Sequence, residues 1–224
     1  MFSINYATIV DPILHDVRIY LPDFAGMKAG DSVLDVCCGS GAQVYEYFRK
    51  GLAAHGVDNS QRMLDLAQRY YARSNMSPVS FTLADAAHLP FADGSFDFTS
   101  ISLALHDKDV TLMDSIIREM KRVTYSGGVL VFADYSMPLP RSIAGYFIRV
   151  IEFFAGALHF SNFRRYLKNG GLQRVLETNG LSVVKERRVK RGNITLVLAK
   201  NGDGVIVVHS ALRGEAGSDT VTGR

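Results

Sequence analysis

A run of apolar residues leads into two closely spaced glycines in the stretch Val33-Leu34-Asp35-Val36-Cys37-Cys38-Gly39-Ser40-Gly41-Ala42-Gln43. The apolar run predicts a buried strand, and the glycines predict a tight loop in which a ligand can lie against bare backbone. A helix that begins directly after such a loop points its N-terminal amides at the ligand. The stretch therefore predicts a parallel sheet with a ligand site at the carboxyl end of its first strand.

The acid within this stretch indicates which kind of ligand the loop binds. Asp35 stands four residues before Gly39, where its carboxylate would repel a pyrophosphate. Val44 occupies the place of the third glycine of a dinucleotide-binding loop, and no Gly-Lys-Ser/Thr of a phosphate-binding loop follows. A cationic ligand suits Asp35, and S-adenosylmethionine, which carries an amine, a carboxylate and a sulfonium, meets this requirement. The alternative is that Asp35 only holds the amides of the loop.

Two further acids follow at the ends of the next predicted strands. Asp58 stands 23 residues after Asp35, close to the interval at which an acid accepts both hydroxyls of a ribose. Asp85 closes the third strand, where a carboxylate can accept a hydrogen bond from the exocyclic amine of adenine. The alternative for the second segment is a helix N-cap, which Asn59 or Ser60 could supply while Asp58 stays free.

The rest of the chain alternates short apolar runs with amphipathic stretches, the pattern of an α/β fold with helices on both faces of a Rossmann-like sheet. The predicted strands are residues 32–37, 53–58, 79–84, 96–104, 128–135, 181–189 and 194–200. The predicted helices are residues 42–50, 61–73, 111–123 and 172–178, preceded by a helix over 5–26 that breaks at Pro12. We expect one domain over residues 1–200 with a substrate-side insertion at 136–168, followed by a flexible tail at 201–224.

Charge and composition argue against several classes of protein. The sequence contains 25 Lys and Arg residues and 22 Asp and Glu residues, which gives a net charge of +3. This small net charge argues against a protein whose main function is to bind a nucleic acid backbone. The sequence contains no run of 18 uncharged apolar residues, and its N-terminus lacks the features of a signal peptide. Cys37 and Cys38 are adjacent and so poorly placed for a disulfide, and we expect two reduced cysteines in a cytoplasmic protein.

Together these segments resemble the class I S-adenosylmethionine-dependent methyltransferases. The matching pieces are Leu34-Asp35-Val36-Cys37-Cys38-Gly39-Ser40-Gly41, Gly56-Val57-Asp58, Ala84-Asp85-Ala86, Leu89-Pro90-Phe91, Ser95-Phe96-Asp97, and Arg122-Val123 before Gly127-Gly128. The resemblance implies S-adenosyl-L-methionine as cofactor and a seven-stranded mixed sheet whose last strand is antiparallel. The chain is also similar to the ubiquinone and menaquinone biosynthesis branch, on the strength of Tyr6, Asp11-Pro12, Leu103-Ala104-Leu105-His106 and Asn162-Phe163-Arg164-Arg165-Tyr166-Leu167.

The resemblance also implies which residues form the site. The expected cofactor contacts are Asp35, Gly39 and Gly41 at the methionine end, Asp58 at the ribose, Asp85 and Ala86 at the adenine, and Cys37, Ser40, Asn59, Met63, Ser102 and Leu103 around them. His106, where the fourth strand ends, is the candidate general base because an unperturbed imidazole titrates near neutrality. The alternative is that His106 only lines the pocket. The spacing of His, Asp and Glu along the sequence indicates no metal site.

The insertion contains an unusually apolar segment, residues 142–160, whose charges at Arg149 and Glu152 fall on one helix face. The aromatic face opposite could cover an apolar substrate or rest on a membrane surface. A core helix or a homodimer contact is the alternative. The basic residues beside the segment are Arg141, Arg164, Arg165 and Lys168. The substrate-side candidates are Tyr6, Tyr135, Tyr146, His159, Phe160 and Tyr166.

The sequence therefore predicts methyl transfer from S-adenosylmethionine to a small, lipophilic or quinone-like acceptor, with no nucleic acid as partner. Two alternatives stay open: methylation of a polar metabolite at oxygen or nitrogen, and a cofactor-binding module without catalysis. Methyl transfer is an in-line displacement at an activated carbon, so the protein mainly needs to align two reactants and exclude water. The sequence does not fix the acceptor atom or the oligomeric state.

Overall fold

The computed structural model describes residues 6–72 and 80–202 of the chain. Its strands are β1 (Ser32–Val36), β2 (Ala53–Asp58), β3 (Ser80–Leu83), β4 (Phe96–Ser102), β5 (Thr124–Tyr135), β6 (Ser182–Val189) and β7 (Ile194–Lys200). Its helices are α1 (Tyr6–Ala25), α2 (Ala42–Arg49), α3 (Gln61–Ala72), α4 (Val110–Val123), α5 (Ile143–Phe154), α6 (Ala157–Lys168) and α7 (Gly171–Thr178). The predicted tail lies outside the described residues from residue 203 onward.

The seven strands form one sheet in the order β3-β2-β1-β4-β5-β7-β6. β7 runs antiparallel to both β5 and β6, whereas the other neighbouring strands run parallel. The prediction of a seven-stranded mixed sheet with an antiparallel last strand is confirmed. The strand order reverses between β1 and β4, and open α/β sheets form their ligand crevices at the carboxyl ends of the strands at such a point.

Helices cover both faces of the sheet because its central strands are apolar on both sides. Phe132 of β5 packs in one buried cluster with Met120 of α4, while its neighbour Val131 packs in the other with Leu21 of α1. Successive residues of a strand point to opposite faces. The continuous apolar run of β5 therefore belongs to a strand that is buried on both sides.

Helix α1 continues through Pro12, where the sequence suggested a break. A proline inside a helix removes one hydrogen bond and clashes with the preceding turn, at a cost of about 3 kcal/mol. Pro12 itself is exposed, but Leu14, Leu21 and Phe24 further along the helix are buried in the core beside the sheet. The apolar surface that the helix buries beyond the proline offsets the local cost.

Strand β5 begins directly after α4, earlier than the predicted start at residue 128. The side-chain amide of Asn201 donates hydrogen bonds to the carbonyls of Lys121 at 2.8 Å and Thr124 at 2.7 Å. These bonds satisfy carbonyls that the end of the helix would otherwise leave without partners. The partner lies far along the chain, so local sequence could not indicate it.

The insertion folds as two helices, where the sequence suggested one apolar segment. Gly156 separates α5 from α6 with a φ of 130°, which a residue with a side chain rarely adopts. Among the described residues, no helix is both long and apolar enough to cross a membrane. The apolar side chains that α5 and the start of α6 leave exposed are Ile143, Tyr146, Phe147, Val150, Phe153, Phe154 and Leu158.

Candidate active site

A cavity of about 290 Å³ opens beside the carboxyl ends of β1, β2 and β4. Its wall combines carboxylates, lysine and arginine with apolar side chains, as in sites that bind organic ligands. The chain contributes this wall from several separate segments, which meet only in the folded sheet. The residues expected at the cofactor that line the cavity are Cys37, Gly39, Ser40, Asp58, Asn59, Met63, Asp85, Ala86, Ser102 and Leu103.

Two residues of the wall hold left-handed backbone conformations without being glycine. Cys37 follows β1 with a φ of 57°, and Leu103 follows β4 with a φ of 50°. The amide of Leu103 donates to the carbonyl of Ala133 at 2.7 Å, which fixes the strained loop to β5. Conformations of this kind cost on the order of 1–2 kcal/mol and cluster at ligand sites.

The two cysteines are buried thiols. Burial raises the pKa of Cys37 to about 12 and raises the pKa of Cys38 still further. A nucleophilic cysteine needs the opposite shift, because the thiolate is the reactive form. Both side chains therefore act as small apolar groups beneath the loop.

Asp58 ties the glycine loop to the second strand. Its Oδ2 accepts the amide of Gly39 at 2.8 Å, and its Oδ1 accepts the amide of Ser60 at 2.9 Å. Each carboxylate oxygen has two lone pairs, so one on each oxygen stays available to a ligand. The group fits a ribose because two hydroxyls can donate to two fixed oxygens of one carboxylate.

The far side of the cavity combines one acid with an apolar side chain. Asp85 accepts the amide of Ala87 at 2.9 Å and is more than half exposed, so its second oxygen can accept from a ligand amine. A Cβ added to Gly39 would lie 3.7 Å from Cε of Met63, which shows how closely the loop and α3 approach there. Ala86 completes an adenine-sized edge of one acid, one methyl group and one thioether.

Two expected methionine-end contacts lie behind the cavity wall instead of on it. Asp35 is 2% exposed, and its Oδ1 accepts the hydroxyl of Ser100 at 2.7 Å, because its place inside β1 points the carboxylate to the sheet face that α1 and α2 cover. Burial raises the pKa of Asp35 to about 7, while the bond from Ser100 opposes that shift. The carbonyl of Gly41 accepts the hydroxyl of Tyr71 at 2.5 Å. Neither residue lines the cavity.

The sequence analysis did not identify three charged residues of the wall. Lys108 and Asp107 form an ion pair at 2.5 Å, and both line the cavity. Both residues directly follow His106 at the end of the fourth strand, and this position could have predicted that they line the site. Arg18 reaches the cavity from α1, and no local pattern marks it because the contact depends on how that helix packs. The wall thus carries two cations, Arg18 and Lys108, beside three acids.

His106 departs from its expected place beside the reacting methyl group. Its ring is 1% exposed, and Nδ1 lies 2.8 Å from Oδ1 of Asp134. Burial lowers the pKa of His106, but Asp134 and Glu152 raise it more strongly, to about 10. Asp134 at the end of β5 holds the ring in the core behind the cavity wall, where it is poorly placed to take a proton from an acceptor.

The histidine that does line the cavity is His159 of α6. Its Nε2 contacts Oε2 of Glu152, and Oε2 of Glu152 also lies 3.6 Å from Nε2 of His106. The spacing of these residues along the sequence gave no indication that they meet, yet three separate elements bring them together. The prediction of no metal site was drawn from spacing along the sequence, which does not record contacts between separate elements, and it stays a prediction.

The other substrate-side candidates are spread over three environments. Tyr135 is buried, and its hydroxyl donates to Oε1 of Glu152 at 2.7 Å. Tyr166 is buried on the inner side of α6, whereas Tyr146 is 59% exposed on α5, with the guanidinium of Arg149 over its ring. Phe160 borders a second groove, between α5 and the basic residues of α6. The side chain of Tyr6, at the start of α1, lies outside the described residues.

Comparison with known proteins finds relatives for the part of the chain that supplies most of the cavity wall. The sequence profile of a methyltransferase domain matches residues 33–128. The demethylmenaquinone methyltransferase of Renibacterium salmoninarum is 38% identical over 54% of this chain and 48% of its own length. An uncharacterized methyltransferase of Synechocystis is 29% identical over 78% of this chain and 77% of its own length. The chain spans about half the length of the first of these relatives.

Solved structures show the same fold. A SAM-dependent methyltransferase from Aquifex aeolicus superposes with a TM-score of 0.64 at 18% identity, over 90% of this chain and all of that protein. At this identity the likeness concerns the fold alone. The match nevertheless extends beyond residues 33–128, because it covers nine-tenths of the chain.

Proposed function

We propose, from the class I S-adenosylmethionine-dependent methyltransferase domain that this chain contains, that the protein transfers the cofactor's methyl group to a small lipophilic acceptor of quinone type. The observation that carries the proposal is the position of Asp58. Its two oxygens are fixed by the amides of Gly39 and Ser60 and face a cavity of suitable chemistry. When bound, S-adenosylmethionine supplies a methyl group that its sulfonium has already activated.

Different residues of the cavity contact different parts of the cofactor. Asp58 accepts the ribose hydroxyls, and Asp85 accepts the adenine amine beside Met63. The methionine carboxylate is held by Arg18 and Lys108, which provide positive charge at the glycine loop. Asp35 is not among these contacts, because its carboxylate lies behind the cavity wall and accepts the hydroxyl of Ser100.

The acceptor side of the cavity is apolar, which supports a lipophilic acceptor. Leu103, Ala104, Leu112 and Ile116 line it, the last two from α4. Such a wall excludes water and holds a flat apolar molecule in line with the methyl group. Alignment of two reactants can supply about 7–11 kcal/mol of the barrier reduction. A relative that shares 38% identity is named a demethylmenaquinone methyltransferase, which agrees with a quinone-like acceptor.

The exposed apolar face of α5 supports contact with a membrane surface, where lipophilic acceptors are found. Phe153 of α5 borders the same groove as Arg164, Arg165 and Lys168 of α6, all of them exposed. Aromatic side chains beside cations suit an anionic lipid interface. The two free cysteines agree with a reducing compartment, and we place the reaction in the cytoplasm.

The test uses S-adenosylmethionine labelled in its methyl group, incubated with the pure chain and a cell extract, followed by partition between organic and aqueous phases. We expect label in the organic phase with the wild type, at least tenfold less with Asp58→Asn, and no change with Asp65→Asn. Asp65 is a suitable control because it bonds Gln61 on the exposed side of α3. Label in the aqueous phase alone would favour a polar acceptor, and absence of label despite cofactor binding would favour a binding module.

A further inference from the structure

Three metal-ligating side chains from three separate elements converge beside the cavity. His106 lies in the loop after β4, Glu152 on α5 and His159 on α6, and their ligand atoms all lie within 4.8 Å of one another. We propose that these residues form a binding site for a divalent transition-metal ion, a site separate from the cofactor contacts. The site does not depend on methyl transfer.

The donor set indicates the class of ion. Two imidazole nitrogens and one carboxylate oxygen suit Zn²⁺ or Fe²⁺, whereas Mg²⁺ and Ca²⁺ prefer oxygen ligands throughout. Nε2 of His106 lies 3.6 Å from Oε2 of Glu152, too far for a hydrogen bond. Two ligands of one tetrahedral ion, each about 2 Å from it, are separated by roughly 3.3 Å. These two atoms thus stand at nearly the separation that an ion between them requires. Nε2 of His159, by contrast, is in direct contact with Oε2 of Glu152, so the His159 side chain has to move outward when an ion binds.

Each of the three ligands has an outer partner that fixes its orientation. Asp134 holds Nδ1 of His106 at 2.8 Å and leaves Nε2 to face Glu152. The hydroxyl of Tyr135 donates to Oε1 of Glu152 at 2.7 Å and leaves Oε2 to face the histidines. Oδ2 of Asp107 lies 3.4 Å from Nδ1 of His159. Carboxylate partners on the far nitrogen of a ligating histidine are the usual outer layer of protein metal sites.

Charge balance favours a cation at this place. Glu152 and His106 are each 1% exposed, and Asp134 is equally buried, so the cluster carries two carboxylates away from water. Buried charges need a counter-charge, which either protons on both imidazoles or a divalent ion can supply. An ion would take the place of the protons that the two Nε2 atoms otherwise carry toward Oε2. The experiment below separates these two alternatives.

Three protein ligands leave one position of a tetrahedral ion open, which distinguishes catalytic from structural zinc sites. His159 also lines the cavity, so the ion lies at the edge of the space where the acceptor binds. An ionised oxygen of the acceptor, such as a phenolate or an enolate, is the ligand that this position would take. This last step alone rests on the proposed function.

The first measurement is of Zn²⁺ alone, added to the full chain after dialysis against a chelator and then against chelator-free buffer. We expect one equivalent to bind and the thermal transition to rise with the zinc concentration. Co²⁺ in its place should give visible absorption bands of a four-coordinate ion. Glu152→Gln and His159→Ala should each weaken zinc binding at least tenfold. His15→Ala should change nothing, because His15 is exposed and pairs with the single acid Glu46 at 3.9 Å.

Several results would overturn the site. Zinc binding that is unchanged in His159→Ala would show that the ion binds elsewhere, as an adventitious ion only. A folded wild-type chain that binds no zinc would show that protons on the imidazoles, and not an ion, balance the two buried carboxylates. Asp134→Asn keeps all three ligands, so it tests the site even where a ligand variant fails to fold, and a loss below threefold would contradict the outer-partner assignment. S-adenosylmethionine binding is measured on the same preparations. A chain that binds the cofactor but binds no zinc would overturn this inference and leave the proposed function intact.

Discussion

At the scale of single residues, the role of a carboxylate depends on its place along the strand. Asp35 lies inside β1 and is buried against Ser100, whereas Asp58 ends β2 and faces the cavity. Both stand beside the same glycine loop, and sequence spacing assigned both to the ligand. The acid inside the strand is bonded within the core of the sheet, and the acid at the strand end holds the loop and keeps lone pairs for a ligand.

The buried position of Asp35 predicts a pH-dependent stability. Its pKa of about 7 in the fold lies above the ordinary value of 3.8. The unfolded chain therefore releases this proton at a lower pH than the folded chain, so the free energy of unfolding falls as pH rises from about 4 to 7. Between pH 5 and pH 8 this one group accounts for a loss of about 2–3 kcal/mol.

Urea unfolding of the cofactor-free chain at pH 5 and pH 8 measures this loss. The variant Asp35→Asn keeps an acceptor for Ser100 and carries no titrating proton, so its stability should fall less over the same range. The difference between the two chains should widen toward pH 5 in favour of the wild type. Parallel pH profiles of the two chains would show that Asp35 does not titrate in this window.

At the scale of elements, the loop between β1 and α2 separates residues that pack from residues that leave room for a ligand. A Cβ on Gly41 would lie 2.9 Å from Cζ of Phe81 and 3.1 Å from Cβ of Ala67. A Cβ on Gly39 would meet only Cε of Met63, at 3.7 Å. Both glycines have positive φ, of 75° and 54° respectively. We therefore expect Gly39 to leave space for the cofactor and Gly41 to serve the packing of the loop.

Alanine substitutions at the two glycines should consequently act on different measurements. Gly41→Ala should lower the free energy of unfolding by about 2–4 kcal/mol, through backbone strain together with overpacking. Gly39→Ala should cost about 1–2 kcal/mol of stability through strain alone, and should weaken S-adenosylmethionine binding at least tenfold. Denaturant titration and calorimetry check the pair. Equal cofactor affinity in Gly39→Ala and the wild type would place the ligand elsewhere.

Elements with strong local patterns could be predicted, whereas long-range contacts could not. The apolar runs of β1 and β2 and the acids at strand ends lie within a few residues of each other, so local sequence was sufficient. The orientation of His106 depends on Asp134 and Glu152, which other elements bring to it. The continuation of α1 through Pro12 likewise depends on burial further along the helix. Tertiary packing determines the orientation of His106 and the continuation of α1, and local sequence periodicity does not predict such packing.

At the scale of the whole molecule, the most distinctive surface is the apolar face of α5 beside the basic residues of α6. Ile143 is 91% exposed and Phe147 is 52% exposed, on the same side of one helix. A contiguous apolar face of this kind commonly marks a contact with a partner or a membrane. The proximity of Arg164 and Arg165 to this face favours an anionic lipid surface.

This surface predicts binding to anionic vesicles. The full chain should co-sediment with vesicles that contain phosphatidylserine more strongly than with neutral ones, because each basic residue near the surface contributes about 1 kcal/mol. Phe147→Ser should reduce binding about tenfold or more, because it removes an aromatic ring that would be buried in the membrane surface. Leu66→Ser is the control, since Leu66 is an exposed apolar residue on α3. Equal sedimentation of both variants would reject the membrane contact.

The central claim is that the cavity at the ends of β1, β2 and β4 binds S-adenosylmethionine. Calorimetric titration of the full chain with the cofactor, run alongside Asp58→Asn, tests it most directly. We predict saturable binding at one site per chain, weakened about 10–100-fold in the variant because the ribose loses a charged acceptor. A folded wild-type chain that shows no binding, or a variant that binds equally well, would contradict the claim.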